Sequence, residues 1–356
     1  MEVYVPGIGI SAGSMMLKWQ IMNDHIHNTR LKLNNEDINI FINFESILRN
    51  LTFQRNLNDL ISFYKQKVVI ELEAAILNMV ANYKMYFKKE NCNPKIYLYY
   101  TDLNKDKQQM SIYNRYYRNF YFNKYNNNPD YKSIGKILNS IIIPELELIM
   151  SYIPDCYFIK ATGFDGSIIP LVISSLNSNK NVIISSDIFD TLYLFNPNFI
   201  NIYIKRRYSN LSVLSNIETI VQSIIKDEQE LNIFNTELYY KLLLSIKGSK
   251  IRNITSTKGF GYGKFLKLMK EGIDKGIVLK DFESIDSVIN LFPDKYKEAI
   301  KISFQCTDLE TQYNLLNDID KESIKNQIID KFDMSSLEAL NNRRFIESPI
   351  NIPGLL

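Results

Sequence analysis

The chain has 356 residues, enough for one large domain or two modest ones, and its 46% hydrophobic and 23% charged content is that of a globular protein. A formal net charge of +3 is too small to point to nucleic acid without regard to where the charge sits. Two histidines, His25 and His27, and three scattered cysteines, Cys92, Cys156 and Cys306, leave almost no material for zinc ligation, for Ser-His-Asp or Cys-His catalysis, or for a disulfide framework.

Residues 1–36 form an N-terminal extension that begins loop-like, with Pro6, Gly7, Gly9 and Gly13, and carries an apolar patch at 15–19. Packing of this patch on the chain's own body is the simpler expectation, and a docking arm the alternative. Residues 38–42 then read as a buried strand ending at Asn43, with a helix from Ser46 and helical periodicity over 54–87. A second strand over 95–100 ends at Thr101-Asp102. After it comes a basic and aromatic block containing Arg115, Arg118 and Lys124.

Residues 144–152 predict a helix leading into a strand over 156–160, and a fourth strand over 181–185 runs into Asp187 and Asp190. Four strands alternating with helices predict a parallel α/β sheet, whose ligands collect at the carboxyl ends of its strands. Residues 276–356 read as further helices, with Pro349 and Pro353 in an extended tail. The longest apolar runs are far short of a membrane span, and the N-terminus lacks the layout of a signal peptide. An intracellular, cytoplasmic protein with no membrane partner is therefore expected.

The most distinctive stretch is Gly248-Ser249-Lys250-Ile251-Arg252-Asn253-Ile254, followed by Gly259-Phe260-Gly261-Tyr262-Gly263-Lys264. Alone, it is either a flexible loop or a turn whose glycines let backbone N–H groups approach phosphate. Lys247, Lys250, Arg252, Lys258, Lys264, Lys267 and Lys270 make the region locally basic, which a solvated helix face would also explain.

This stretch resembles the helix–three-turn–helix of the flap endonuclease / 5′-3′ exonuclease family, which reads roughly G-D-x-S-D-N-I-x-G-V-x-G-I-G-x-K. The glycines, the Asn-Ile pair and the final Lys match in order, while the family's two aspartates fall at Ser249 and Arg252. Upstream, residues 163–168 sit where the family has G-x-E-A-D-D, so that the Glu becomes Asp165 and the aspartates become Ser167 and Ile168. Asn43 replaces the Asp that ends the family's first strand, and Asp102 corresponds to one that ends the second. The family's D-x-D pair is reduced to one carboxylate, Asp187 or Asp190 according to where a gap is placed.

The resemblance covers about residues 37–275. It implies a PIN/flap-endonuclease-like α/β domain over 37–235, a helix–three-turn–helix DNA-binding subdomain over 236–300, and C-terminal helices and tail over 301–356. Arg115, Arg118 and Lys124 would lie in the family's arch over single-stranded DNA, where cations neutralise phosphates and aromatic faces stack bases. Lys250, Arg252, Lys258, Gly259, Gly261, Gly263, Lys264 and Lys267 would contact duplex or junction DNA. A monovalent cation at the helix–three-turn–helix is implied as well.

Two-metal phosphodiester hydrolysis holds two divalent cations about 3.5–4 Å apart, which takes a dense cluster of carboxylates. Here Asn43, Ser167, Ile168, Ser249 and Arg252 stand at the family's acidic positions, and a guanidinium would repel a metal or fill its place. Besides that monovalent cation, no cofactor is expected beyond, at most, one weakly held Mg²⁺ or Mn²⁺ at Asp165 or Asp190. The sequence thus predicts a catalytically silent DNA-binding relative of these nucleases, leaning away from an enzyme. Its expected role is as an accessory subunit among other subunits of a viral or phage complex for replication, repair or transcription, in the host cytoplasm if viral. The alternatives are an active, Mg-dependent 5′ nuclease with a reduced metal site, and a scaffold that reuses the fold for protein contacts.

Overall fold

The computed structural model describes residues 36–44, 80–102, 143–185, 187–207, 210–214, 236–248, 256–275 and 282–328, apart from a few isolated positions. Six strands form one sheet: β1 (Asp37–Asn43), β2 (Asn93–Asp102), β3 (Cys156–Thr162), β4 (Lys180–Ser185), β5 (Phe199–Arg207) and β6 (Asn210–Leu214). Their order is β3-β2-β1-β4-β5-β6. The first five are parallel, and β6 closes the far end as an antiparallel partner of β5.

All four strands expected from the sequence are present, each extended by one or more residues, and β5 and β6 lengthen the sheet beyond the predicted end at 185. The signal for β5 is its alternation, Phe199, Asn201 and Tyr203 against Ile200, Ile202 and Ile204.

Period two also explains why β1 lies at the centre. Asn39, Phe41 and Asn43 point to one face and Ile38, Ile40 and Ile42 to the other, and all six are buried. The Phe41 face stacks across strands, with ring centroids of Phe41 and Tyr97 5.1 Å apart and those of Tyr97 and Tyr157 5.0 Å apart. Near the amino end of this face the Asn39 amide donates to Asn181 Oδ1 at 2.9 Å and to Asn177 Oδ1 at 3.0 Å, so that a buried polar pair joins β1 to β4.

Eight helices accompany the sheet among the described residues, besides a helical stretch within 80–88: α1 (Ile143–Met150), α2 (Ile169–Ser174), α3 (Thr236–Lys247), α4 (Tyr262–Asp274), α5 (Ile285–Val288), α6 (Asp294–Gln305), α7 (Leu309–Leu315) and α8 (Asp318–Lys325). The Phe41 face and side chains of α2, α3, α4, α6, α7 and α8 share one continuous apolar core, in which Leu243, Phe265, Ile300 and Ile324 are buried. The helical segment is therefore packed against the sheet. None of the described helices is long and apolar enough to cross a membrane.

An ion pair braces this packing. Lys241 of α3 reaches Asp308 Oδ1 at 2.7 Å and Glu237 at 2.7 Å, while Asp308 caps α7 by accepting from the Thr311 N–H at 2.9 Å. Burial works against both charges. Lys241 is nevertheless held above the usual lysine range by Asp308 and Glu237, and Asp308 below the usual carboxylate range by Lys241 and Thr311. The contribution of Asp308 is present above the unfolded carboxylate pKa of about 4 and lost as pH falls through its lower folded value. That of Lys241 is present below about 10.4 and lost as pH rises through its higher folded value.

Two outcomes follow from these contacts. Lys241→Met strands the buried Asp308 carboxylate and should cost about 3 kcal/mol at neutral pH in urea unfolding, with the difference from wild type shrinking as pH drops below about 4. Gly166→Ala should cost about 1–3 kcal/mol, because a Cβ there would stand 2.8 Å from the Tyr100 carbonyl carbon and 3.0 Å from the Thr101 nitrogen, both backbone atoms of β2. A Gly166→Ala protein as stable as wild type would show that this turn does not rest on β2.

Candidate site at the carboxyl ends of the strands

From β1 the chain turns toward β2 and β3, and from β4 toward β5. The neighbouring strands β1 and β4 therefore send their connections in opposite directions. In a doubly wound sheet this reversal opens a crevice beyond the strands' carboxyl ends. Asn43 is the last residue of β1 and Ser185 the last of β4, while Tyr99 of β2 is level with Asn43.

Asp190 fills this crevice. It lies in a 3-10 turn, Ile188–Phe195, directly after β4, and is 1% exposed. Its Oδ1 accepts from Ser167 Oγ at 2.9 Å. Its Oδ2 accepts from Ser185 Oγ at 2.5 Å, from Asn43 Nδ2 at 2.6 Å and from Tyr99 Oη at 3.3 Å. Asn201 of β5 holds the backbone of the same residue, donating Nδ2 to the Asp190 carbonyl at 2.7 Å. The Asn201 Oδ1 is buried with no hydrogen-bond partner among the described residues. A buried carboxylate is costly unless its lone pairs are met, and here hydroxyl and amide donors from four separate segments converge on it.

The two other carboxylates of the region begin turns. Asp165 caps the 3-10 turn Gly166–Ile168, accepting from the Ser167 N–H at 2.8 Å, and Asp187 caps Ile188–Phe195, accepting from the Phe189 N–H at 3.0 Å. Both are buried. Behind them Tyr203 has its phenol pushed up to about 12, by burial first and then by the Asp187 charge. Burial likewise raises Tyr240, whose hydroxyl lies 2.6 Å from Thr191 Oγ1.

Among the sequence candidates, then, Asn43, Ser167 and Asp190 meet at one point, with Asp165 and Asp187 capping the adjoining turns. Of the two alignments for the D-x-D pair, the one that retains Asp190 supplies the central carboxylate. Ile168 lies in the apolar core. Asp102 ends β2, paired with Thr162, and its side chain lies outside the described residues, as do Ser249, Lys250, Arg252, Arg115, Arg118 and Lys124. The sequence reading missed Tyr99, Ser185 and Asn201. Their shared signal is a polar side chain on a buried face near a strand's carboxyl end. Among the described residues no three of His, Cys, Asp and Glu are grouped so as to hold a metal ion.

The glycine-rich turn lies between α3 and α4. Gly248 ends α3 with φ +65°, its N–H donating to the Leu244 carbonyl at 2.8 Å. Gly259 has φ +79°, and its carbonyl accepts from Lys264 Nζ at 2.7 Å and from the Tyr296 hydroxyl at 3.3 Å. Phe260 plugs the turn into the core, its ring centroid 5.0 Å from that of Tyr296 and 5.5 Å from that of Phe292. The Gly261 carbonyl then accepts from the N–H groups of Lys264 and Phe265 as α4 starts. A Cβ at Gly261 or Gly263 would meet nothing within 4 Å, so in this structure only Gly259 of the three requires glycine. Lys258, Lys264, Lys267 and Lys270 are exposed, and Lys267 stands 3.9 Å from Glu271.

Asp190→Ala removes the acceptor from three hydroxyls and one amide, and should lower unfolding stability by about 3 kcal/mol or more. Ser167→Ala removes one hydrogen bond to a charged group and should cost about 1.5–3 kcal/mol. Urea titration checks both, and an Asp190→Ala protein within about 0.5 kcal/mol of wild type would place the stabilising role elsewhere. Comparison with protein-family models and with curated protein sequences finds no match to this chain.

Proposed function

We propose that the chain is a flap-endonuclease-like protein that binds duplex or junction DNA and in which a hydrogen-bonded hub takes the place of the two-metal site. On this reading it serves as an accessory subunit in viral or phage replication, repair or transcription. The observation that carries the proposal is the meeting of Asn43, Ser167 and Asp190. The resemblance aligns all three with metal-binding carboxylates, from three separate parts of the sequence, and they lie within hydrogen-bond distance at the reversal point of the sheet.

The side chains at that point fit a hub better than a metal pair. Divalent cations call for oxygen lone pairs, whereas the Asn43 amide and the Ser167, Ser185 and Tyr99 hydroxyls turn their hydrogens toward Asp190. With Asp165 and Asp187 engaged by backbone N–H groups at turn starts, the carboxylates hold the strand ends together.

DNA contact falls to the turn before α4. Its exposed lysines and the positive end of a 13-residue helix offer sites to phosphate oxygens, with the Lys264 amine and the Gly259 carbonyl fixing the shape of the turn. Contacts of this kind are independent of sequence and sensitive to salt.

Fluorescence anisotropy with a nicked duplex should give an affinity that falls linearly in log-log form with salt. A Lys258→Glu, Lys267→Glu, Lys270→Glu variant with unchanged thermal melting should lose about three from that slope. Salt-insensitive binding, or none, would favour a scaffold. Mn²⁺-dependent cleavage of a 5′ flap that disappears in a still-folded Asp165→Ala protein would favour an active nuclease.

A further inference from the structure

The end of the sheet opposite the hub is built from amides. Residues 175–179 join α2 to β4, and within them Asn177 and Ser178 are exposed. The side chain of Asn177 is nevertheless fixed in place. Its Oδ1 accepts from Asn39 Nδ2 at 3.0 Å and from the Asn179 N–H at 3.1 Å. A backbone N–H can only donate, so the atom between these two donors is the carbonyl oxygen and not the amide nitrogen. Asn39 is itself held. It is fully buried in β1, donates to Asn181 Oδ1 at 2.9 Å and accepts from Asn179 Nδ2 at 3.2 Å.

Two further groups beside that carbonyl are uncommitted. Neither the Asn177 Nδ2 nor the Ser178 N–H makes a hydrogen bond among the described residues. The bond from Asn177 Oδ1 to the N–H two residues on curls the side chain back over the intervening peptide, whose nitrogen belongs to Ser178. An amide carbon with two donors on its oxygen, a free nitrogen next to it and a free leaving group has what intramolecular acyl transfer requires.

We propose that Asn177 is a site of self-catalysed deamidation, with Asn39 Nδ2 and the Asn179 N–H as its oxyanion hole. The Ser178 nitrogen loses its proton to water and bonds to Asn177 Cγ. Negative charge then develops on Oδ1, where both donors already stand within the range of about 2.7–3.1 Å at which such donors act. The Cγ–Nδ2 bond breaks, Nδ2 leaves as ammonia with a proton from solvent, and a five-membered succinimide remains. Water opens that ring at either carbonyl to give aspartate or isoaspartate. One water is consumed and one ammonia released, with no change of oxidation state. The aspartate product keeps both accepted bonds, now on a charged oxygen. The inference is independent of any DNA-binding role, because it uses none of the residues of the hub or of the glycine turn.

Full-length wild type and a synthetic peptide of residues 172–184 provide the test, both held in mildly alkaline buffer and followed by peptide mass mapping with isoaspartate detection. Conversion at Asn177 should be about tenfold or more faster in the folded protein than in the peptide, which has the same neighbours but no Asn39. It should rise with pH, yield isoaspartate and disappear in Ser178→Pro, whose nitrogen has no proton to lose. Asn39→Ala should bring the rate down toward that of the peptide, with thermal melting showing that the fold is kept. A folded wild type that converts no faster than the peptide overturns the proposal, because the turn then protects the amide. A product free of isoaspartate also overturns it, since that marks direct hydrolysis by water, as does a folded Asn39→Ala protein with the wild-type rate. Should Asn39→Ala fail to fold, the ratio of wild type to peptide decides.

Discussion

A carboxylate buried beyond the ends of parallel strands must have its lone pairs met, and Asp190 meets this demand by recruiting a donor from nearly every segment that ends beside it. Asn43 comes from β1, Tyr99 from β2, Ser167 from the turn after β3, and Ser185 from β4, while Asn201 of β5 steadies the main chain. Asn43 and Ser185 are the last residues of β1 and β4, so these two donors fix the height at which their strands stop. A slip of one residue in any of these strands would turn its donor to the opposite face of the sheet and leave charge without compensation. The polar cluster thus specifies register, which the surrounding apolar faces alone would specify less sharply.

The same chemistry separates carboxylates that hold a structure together from those that do chemistry on something else. Asp165 and Asp187 each stand one residue before a 3-10 turn and accept from the second N–H beyond. Both turns carry the chain out of a strand and onto the face shared with α2 and α3. Carboxylates at the mouth of a parallel sheet are commonly read as ligands of something bound. Here they serve equally as the first link of the chain's own descent from the sheet, with Gly166 small enough to pass against the end of β2.

Much of this was legible in the sequence. The first four strands are short apolar runs, β-branched in β1 and β4 and largely aromatic in β2 and β3, and the polar residues at their ends point to one crevice. Asn43, Ser167 and Asp190 were singled out from a motif, and the structure joins them by hydrogen bonds. Tyr99, Ser185 and Asn201 were not singled out, because a hydroxyl or amide on an apolar strand carries no linear signal of what it faces. β5 carries a regular alternation but no aspartate at its end, so it lacks the motif that marks the other strands. The glycine run gave a mixed result. The backbone of Gly259 needs the left-handed region, whereas Gly261 and Gly263 have room for a side chain, and spacing alone does not distinguish these cases.

The place of β1 in the sheet also constrains how the protein is made. It is the first strand described in the chain yet lies between β2 and β4, so one flank of it stays bare until β4 has been synthesised. Asn43 and Asp190 are 147 residues apart. At typical elongation rates of about 5–20 residues per second, roughly 7–30 s separate their emergence from the ribosome. During that interval β1, buried on both faces in the finished sheet, presents an open backbone edge, and the contacts that finally cover it are among the longest-range in the fold. Such topologies fold slowly for their size, and a nascent chain of this kind gains most from a chaperone acting before β4 appears.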